Sequence, residues 1–282
     1  MDSQSHLHRQ GYCMDIIQHE TIVRSGSFIL LFTFIIIAEV FLPRRVLVTS
    51  KATRWFGNVF LHLFNTAILW LMFPLFPVAM ALLCAEKGWG LLNYFPIGIG
   101  PSVLLGVLAM DCVIYFQHAL FHRMPPLWRI HRAHHTDTDL DVTTGIRFHP
   151  FEMILSLLVK LGAIAAIGPP PVAVLIFEVL LNGMSMFNHS NIRISVPWDG
   201  ILRLIMVTPD MHRVHHSIIF KESTSNYGFA LPWWDHLFGT YRAQPAAGHD
   251  GMTIGLTGFL DVKYSALQRM LMMPFIRKTS DS

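Results

Sequence analysis

Long apolar stretches constrain this chain more than any other feature of its sequence. Ser27 to Leu42 and Trp55 to Cys84 are largely apolar, a third stretch runs from about Ile97 to Phe121, and a fourth covers Phe151 to Phe187. A bilayer core about 30 Å thick needs about 20 apolar helical residues, so these stretches predict membrane-spanning helices. Only 14% of the residues are charged, against about 25% in an ordinary soluble domain. The sequence therefore predicts an all-α integral membrane protein and excludes a water-soluble monomer.

The distribution of these stretches divides the chain into three parts. Residues 1–96 form an N-terminal membrane anchor region with two spans, residues 97–245 form a histidine-rich domain, and residues 246–282 form a C-terminal tail. The first stretch is not followed by a small-residue cleavage site, so it is predicted to be a retained anchor rather than a signal peptide. The second stretch contains Pro74 and Pro77, which predict a kink in its helix.

The fourth apolar stretch is interrupted in its middle by one glycine and three prolines, residues 168–171. A helix interior does not tolerate such a run, so residues 151–187 are predicted to form a helical hairpin that returns to the side of the membrane it left. Lys160 and Glu178 each lie nine residues from Pro169. A lone charge at that depth costs roughly 3 kcal/mol or more, so we predict that the two charges pair. The alternative is that Lys160 extends to the membrane interface.

Basic residues flank the predicted spans on one side of the membrane. Some lie between the first two spans, including Arg44 and Arg45, and others follow the third span, including Arg123 and Arg132. Short cytoplasmic loops carry an excess of Lys and Arg, so both groups are predicted to be cytoplasmic. The net charge of +3 gives no indication of a nucleic-acid partner.

Histidine is strongly over-represented in the middle of the chain. Ten of the 16 histidines lie from His118 to His216. Two groups of three have the spacing i, i+3, i+4, which places three imidazoles on one helical face. Imidazole is a ligand suited to iron, zinc, copper or nickel, so both groups are candidate metal ligands. The two triplets are His131, His134 and His135, and His212, His215 and His216.

Two predicted membrane helices carry polar stripes that end in histidine. Residues at i, i+4, i+7 and i+11 share one face of a helix. Polar side chains within a membrane usually face protein rather than lipid, so we expect the two stripes to meet in one interior site. The stripes are Asp111, Tyr115, His118 and His122, and Glu178, Asn182, Ser185 and His189.

The triplets and stripes together supply nine candidate histidine ligands. One ion uses about four to six ligands, so two metal ions are predicted. His149, at the entry to the hairpin, is a tenth candidate. All ligands of one site have to lie on the same side of the membrane, and the hairpin meets this requirement because it brings His149 and His189 to one side.

Carboxylates near the triplets are candidates for orienting the ligands. A metal-bound imidazole usually donates its second ring N–H to a carboxylate or a carbonyl. Asp137, Asp139 and Asp141 follow the first triplet, Asp210 precedes the second, and Asp111 begins the stripe of the third span. The alternative for each is a solvated loop or helix-cap residue.

These motifs resemble the fatty acid hydroxylase/sterol desaturase superfamily, membrane enzymes whose histidine boxes hold a non-haem di-iron centre. The resemblance covers roughly residues 105–245 and is greatest to bacterial members described only as sterol desaturase-like. It implies metal ligation by the nine histidines above and admits His149 as a tenth. The matching segments are DCVIYFQHALFHR from Asp111, LWRIHRAHH from Leu127, LDVTTGIRFHPFE from Leu140, FNHSN from Phe187, VTPDMHRVHHS from Val207 and NYGFALPWWDHLFGTY from Asn226.

The resemblance implies an oxidoreductase that uses two iron ions and dioxygen to hydroxylate a lipid or sterol-like substrate. Unactivated C–H bonds offer no acidic proton, so a redox metal is required to attack them. Zinc binds nitrogen ligands more tightly than ferrous iron and is an alternative occupant in purified samples. Desaturation and ether-lipid monooxygenation within the same superfamily are the enzymatic alternatives, and a metal-binding membrane transporter is the non-enzymatic one.

The expected partners and location follow from the same resemblance. The sequence carries no flavin fingerprint, haem domain or cysteine-ligated cluster, so a separate electron donor of ferredoxin or cytochrome type is expected. The bilayer is expected to supply the lipid. The protein is predicted to lie in a bacterial inner membrane with its histidine site on the cytoplasmic side.

Overall fold

The computed structural model describes residues 19–73, 76–95 and 97–277, and the regular structure in these ranges is helical. Two isolated β-bridges, Pro43 with Ile192 and Ser217 with Ile254, add local pairing. Single 3₁₀ turns occupy Thr144–Ile146, Val262–Ser265 and Met273–Phe275. The α-helices are α1 (Glu20–Phe41), α2 (Lys51–Met72), α3 (Pro77–Lys87), α4 (Leu91–Tyr94), α5 (Ile99–Arg123), α6 (Pro125–His135), α7 (Pro150–Ile167), α8 (Pro171–Asn188), α9 (Val196–Leu202), α10 (Pro209–His215), α11 (Phe220–Ser223), α12 (Trp233–Leu237), α13 (Gly248–Gly251) and α14 (Leu267–Met272).

Five segments of the described chain are long and apolar enough to cross a bilayer, namely α1, the stretch from α2 to α4, α5, α7 and α8. Their outer faces expose large apolar side chains, such as Phe34, Trp70 and Leu104. Such faces are expected for helices whose solvent is lipid rather than water. The predicted all-α membrane architecture is confirmed.

The second apolar stretch contains two helices and not one kinked helix. Helix α2 ends at Met72, and α3 begins at Pro77. Proline lacks a backbone N–H and clashes with the preceding turn, so it is accommodated at the first position of a helix and not in its interior. The predicted kink is therefore wrong at Pro77. Pro74, to which it was also assigned, lies outside the described residues.

Helices α7 and α8 form the predicted hairpin. Gly168 ends α7 with a φ of 66°, a left-handed conformation that favours glycine, and Pro171 begins α8. Gly90 packs on this apex so closely that a Cβ added to it would lie 2.2 Å from the Gly168 nitrogen. Within the hairpin, Lys160 Nζ donates to Glu178 Oε1 at 2.7 Å. The predicted pairing of these two charges is confirmed.

The apolar core of the bundle lies between α3, α5, α7 and α8. Its buried side chains include Val78, Met110, Ile164 and Phe177, one from each of these helices. Removal of this apolar surface from contact with lipid and water fixes the relative positions of the helices. The core therefore sets where α5 and α8 deliver their last residues, which include the histidines of both stripes.

The histidines lie at the end of the bundle opposite the hairpin apex. There, Glu39 Oε1 near the end of α1 accepts the N–H of Asn191 at 2.8 Å. The C-terminal segment covers the same end, because Arg132 Nη2 donates to Met273 O at 2.7 Å and Arg147 Nη2 donates to Tyr264 O at 3.1 Å. The segment predicted as a tail thus packs on the histidine domain.

Candidate metal centre

Four helices deliver the histidines of both triplets and both stripes to one site. Helix α5 carries His118 and His122, and His189 follows the last residue of α8. The first triplet occupies the last two turns of α6, and the second begins in α10, whose N-terminus is capped by Thr208 Oγ1 accepting from Met211 N at 3.3 Å. Because each triplet lies on one helical turn, its rings project in one direction.

Nine of the ten candidate histidines form two groups. In each group, one ring nitrogen per residue lies within 4.8 Å of all the others. The groups adjoin, since the rings of His135 and His216 stack with centroids 4.4 Å apart. Eight of the nine residues are buried and His122 is half-buried. The first group contains His118, His122, His131, His135 and His215, and the second contains His134, His189, His212 and His216.

Backbone carbonyls orient four of these rings. A carbonyl oxygen can only accept a hydrogen bond, so the Nδ1 atom that contacts it carries the proton and Nε2 presents a lone pair. This tautomer is the one that binds a metal through Nε2. The Nδ1 contacts are His118 with Tyr227 O at 2.9 Å, His134 with Arg147 O at 3.2 Å, His189 with Ser185 O at 2.6 Å and His215 with Ser225 O at 2.8 Å.

In the second group, ring nitrogens face one another. His189 Nε2 lies 2.9 Å from His134 Nε2 and 3.1 Å from the Nε2 atoms of His212 and His216. Lone pairs at this separation repel unless a cation lies between them. Bonds of about 2.1 Å from imidazole to metal place neighbouring ligand atoms roughly 3.0–3.4 Å apart, so the observed spacing fits a metal ion.

The first group contains buried nitrogens that hydrogen bonding leaves unsatisfied. The Nε2 atoms of His118, His122 and His215 are buried and have no hydrogen-bond partner within the described ranges. A buried polar atom without a partner costs about 1–3 kcal/mol, and a metal ion bound by three such atoms in one cluster would remove this cost. The donor set is nitrogen only, which suits iron or zinc. Both groups therefore fit a metal ion.

Burial favours the uncharged form of five clustered histidines that lie outside the membrane spans. It lowers the pKa of His215 to about 3 and the pKa of His189 to about 4. Burial and the neighbouring imidazoles also lower the pKa of His134, His212 and His216 well below the usual value. These rings are neutral at physiological pH and can bind a metal without first losing a proton.

Glu152 is a carboxylate in direct contact with the histidines that the sequence analysis missed. Its Oε1 lies 2.7 Å from Nδ1 of His131, and it is 4% exposed. The contact orients Nε2 of His131 to within 3.2 Å of His135 Nε2. An ionisable residue in an apolar stretch was the available signal, the same signal that singled out Lys160 and Glu178.

None of the predicted carboxylates, within the part of the chain described, hydrogen-bonds a histidine of either group. Asp137 and Asp141 instead bind Arg54, with Nε to Oδ1 of Asp137 and Nη1 to Oδ2 of Asp141 both at 2.6 Å. Burial alone would raise the pKa of Asp137, but the guanidiniums of Arg54 and Arg147 lower it to about 2. Asp139 accepts the N–H of Thr49 at 2.7 Å. These aspartates fix the start of α2 to the loop after the first triplet.

Asp111 and Asp210 hold segments of chain near the site. Asp111 accepts the N–H groups of Ala230 and Leu231, each at 3.2 Å, and Trp234 Nε1 at 2.8 Å. It thereby secures the segment that follows Tyr227, whose carbonyl orients His118. Asp210 accepts from Arg44 Nε at 3.0 Å and also pairs with Arg213, which anchors the first turn of α10.

Arg147 connects this polar network to the first triplet. It is fully buried, and its Nε donates to Ala133 O and its Nη2 to Thr136 Oγ1, both at 2.9 Å. Its own carbonyl accepts the Nδ1–H of His134 at 3.2 Å. Arg147 therefore positions the end of α6, and its residue type gave no indication of this role in the sequence.

His149 lies apart from both groups. Its Nδ1 accepts the N–H of Phe151 at 3.2 Å as the cap of α7, and its Nε2 contacts Leu271 O at 3.1 Å. Both ring nitrogens therefore have backbone partners outside the two histidine groups. His236, which the sequence left outside the candidate ligands, stacks on Tyr241 with centroids 4.0 Å apart and lies outside the cluster.

Comparison with known proteins identifies the region that holds this site. Residues 103–240 match the fatty acid hydroxylase family. Ornithine lipid hydroxylase of Rhizobium tropici is 31% identical over 177 residues, which cover 63% of this chain and 51% of the relative. Human alkylglycerol monooxygenase is 29% identical over 57% of this chain and 35% of its own length. Rat cholesterol 25-hydroxylase is 25% identical over 51% of this chain and 47% of its own length.

The matches cover only part of each relative. The chain spans about half the length of ornithine lipid hydroxylase and about a third of human alkylglycerol monooxygenase. No solved structure gives a significant match. All nine clustered histidines lie inside the matched segment. Residues 103–240, which hold the clustered histidines, are therefore similar to the fatty acid hydroxylase family.

Proposed function

We propose that this chain is a membrane-bound non-haem di-iron oxidoreductase that uses dioxygen to hydroxylate a lipid. The observation that carries the proposal is the meeting of nine imidazoles, eight of them from buried residues, in two adjacent groups at one end of a bundle of apolar helices. Bound iron would activate dioxygen, the oxidant that an unactivated C–H bond requires. The relatives support a lipid substrate, since two of them are named for hydroxylation or monooxygenation of lipids.

We assign one metal ion to each histidine group. The first ion would take five imidazoles and the second four, because the groups divide in that way. Glu152 and the backbone carbonyls hold the Nδ1 protons, so they keep the ligand nitrogens aimed at the ions. We assign His149 to the capping of α7 and not to the ligands. Asp137 and Asp141 act through Arg54, which holds the loop after the first triplet in place.

A narrow cavity adjoins the first group, and we assign the reacting part of the substrate to it. The cavity has a volume of about 110 Å³, and His118 and His131 form part of its wall. Phe121, Phe148 and Phe229 are among its apolar lining residues. Aromatic walls exclude water from the space beside the histidines, and they favour an apolar segment of a lipid over a polar group. The chain thereby holds a C–H bond next to the ligand set.

The partners and orientation follow from the position of the site. A lipid enters from the bilayer that surrounds the spans, dioxygen enters through the apolar walls, and electrons come from a separate ferredoxin-type or cytochrome-type donor. Arg44 and Arg213 lie at the histidine end of the bundle, where both bind Asp210. The positive-inside rule supports the cytoplasmic side for this end, in a bacterial inner membrane.

A second candidate is monooxygenation of an ether lipid next to its oxygen. Alkylglycerol monooxygenases from human, Xenopus tropicalis and Danio rerio favour it, because each matches this chain at 29–31% identity. The two candidates share the site and the oxidant and differ in the bond that finally breaks. Cleavage would yield an aldehyde and an alcohol, whereas hydroxylation at a carbon away from oxygen leaves a stable alcohol.

Lipid analysis of cells with and without this chain tests the proposal. In the first experiment, lipids are extracted from cells that express the protein. In the second, the purified protein is loaded with ferrous iron without air and is then given dioxygen and reductant. We expect new oxygenated lipids with the wild type and none with His134→Ala or His215→Ala. His236→Ala is the matched control, because this histidine lies outside the cluster and should leave the products unchanged. An unchanged lipid profile together with metal uptake by the cells would instead support a transporter.

A further inference from the structure

A larger cavity continues from the narrow one between α1, α2, α7 and α8. Its volume is about 750 Å³, and none of the nine clustered histidines is among its lining residues. The two cavities are adjacent, because five residues line both. A lipid that reaches the histidines through the narrow cavity therefore leaves the rest of its length in the larger one. The shared residues are His62, Met153, Ser156, Lys160 and Asn182.

The larger cavity contains a charge cluster in which two cations, Lys160 and Arg24, share the carboxylate of Glu178. Glu178 Oε1 accepts from Lys160 Nζ at 2.7 Å, and Glu178 Oε2 pairs with Arg24 Nη2 at 3.3 Å. The side chains of Lys160 and Glu178 are 13% and 4% exposed, and that of Arg24 is 29% exposed. Glu20 lines the same cavity. It forms no ion pair with Arg24 or Lys160 within the described chain.

Glu178 does not use all the N–H donors of Lys160 and Arg24. A lysine ammonium has three N–H donors and an arginine guanidinium has five, and Glu178 uses one from each. Arg24 Nε is buried and has no hydrogen-bond partner among the residues described. A buried N–H without an acceptor is costly, and the oxygen of a bound headgroup would remove that cost.

The distance from the cluster to the histidines sets the orientation of a bound lipid. Lys160 and Glu152 both lie on α7, eight positions apart, which corresponds to a rise of about 12 Å. The narrow cavity is lined by both residues, and most of its wall area is apolar. Phe148 and Leu181 are among its apolar lining residues. An apolar segment therefore fits toward Glu152 and the histidines, and a charged group fits at Lys160.

We propose that Lys160 and Arg24 bind the anionic group of the lipid substrate, a carboxylate or a phosphate, while its apolar segment extends to the histidines. The inference rests on the proposed function and adds to it a class of substrate and an orientation. The single hydroxyl oxygen of a neutral sterol or alcohol would leave most of the spare donors of Arg24 and Lys160 unpaired. The several oxygen lone pairs of a carboxylate or a phosphate satisfy more of them.

Binding of simple amphiphiles to the purified full-length protein in detergent tests this assignment. The probes are dodecanoate, dodecyl phosphate and dodecanol, which share a chain and differ in the head. We expect both anions to bind about tenfold more tightly than dodecanol, the effect of one charged hydrogen bond. The tighter of the two anions indicates whether a fatty acid or a phospholipid is the natural source. Equal affinity for all three probes would overturn the proposal.

Two variants predict changes of opposite sign. Arg24→Gln keeps the Lys160–Glu178 pair and should weaken binding of the anions about tenfold without changing the affinity for dodecanol. Glu178→Gln removes the competing carboxylate and should strengthen binding of the anions. Lys87→Gln is the control, because Lys87 is exposed and pairs with Glu86. Equal effects of Arg24→Gln on dodecanol and on the anions would contradict the proposal.

This experiment separates the failure of the inference from the failure of the proposed function. Binding of the probes needs no turnover, so it can be measured whether or not any lipid is oxidised. If the wild type oxidises a lipid but Arg24→Gln and Glu178→Gln leave the binding of anions unchanged, only the headgroup assignment fails. If the anions bind as predicted but no lipid is oxidised, the proposed function fails.

Discussion

His189 Nε2 lies 2.9 Å from His134 Nε2, although the Nδ1 atoms of both rings contact backbone carbonyl oxygens. Each ring therefore carries its proton on Nδ1, and two lone pairs face each other in a buried site. The arrangement is stable when a cation lies between the nitrogens. The two residues are 55 positions apart, and the hairpin of α7 and α8 brings them together.

Replacement of Glu152 should weaken metal binding at the first group. Glu152→Ala removes the carboxylate that orients His131, and loss of such a contact typically lowers metal affinity by about 10–100-fold. Glu152→Gln retains an oxygen that accepts the Nδ1–H and should have a smaller effect. Titration with ferrous or cobalt ions measures the affinity. Glu86→Ala, at an exposed position, is the control, and equal affinities in all four proteins would exclude a role for Glu152.

Replacement of His149 should lower stability and leave the metal content intact. His149→Ala removes the cap of α7 and the contact with Leu271 O, and loss of a cap typically costs about 1 kcal/mol. Thermal unfolding in detergent measures the stability, and elemental analysis measures the bound metal. His212→Ala, in the second group, should instead lower the metal content. A loss of metal from His149→Ala comparable to that from His212→Ala would identify His149 as a ligand.

An alanine at the hairpin apex should destabilise the protein. Gly168 has a φ of +66°, and a Cβ there would lie 2.6 Å from Trp89 O, so Gly168→Ala introduces both strain and a clash. We expect a loss of about 1–3 kcal/mol in the free energy of unfolding. Gly162→Ala is the matched control, because a Cβ at this helical position meets nothing within 4 Å. The control should be neutral or up to about 1 kcal/mol more stable, and a loss as large as that of Gly168→Ala would contradict the account.

Removal of the guanidinium at Arg54 should be the most destabilising of these changes. Arg54→Met leaves Asp137 and Asp141 buried without their cation, and breaking a buried pair costs about 3–5 kcal/mol. Unfolding by heat or denaturant gives the change in stability. Lys51→Met, about one turn earlier on the exposed face of α2, is the control and should have little effect. Similar stabilities for the two variants would show that the network around Arg54 is dispensable.

Local sequence patterns were sufficient to predict the hairpin and most of the histidines that cluster. The prolines that follow Gly168 end one helix and begin the next, and the triplet spacing places three imidazoles on one turn. Both are properties of short segments, so they can be deduced without knowledge of the tertiary structure. The pairing of Lys160 with Glu178 follows from the same symmetry about the turn.

Contacts between distant segments could not be deduced in the same way. Arg54 and Asp137 are 83 positions apart, and nothing in the spacing of either residue indicates the other. Asp137 was therefore predicted as one candidate for orienting a histidine, whereas in the structure it binds Arg54 of α2. Glu152 was missed because it lies in the first turn of α7 and not beside either triplet in the sequence. The division of the second apolar stretch at Pro77 also depends on how α3 packs.

The central claim is that nine histidines hold two neighbouring metal ions in this chain. X-ray absorption spectroscopy of the iron-loaded protein, combined with elemental analysis, tests it most directly. The account predicts two ions per chain, with imidazole nitrogens at about 2.1 Å and a second iron close to each iron. Replacement of both His134 and His215 should abolish this signature. A wild-type protein that binds one ion or none, or a double variant that retains two, would contradict the claim.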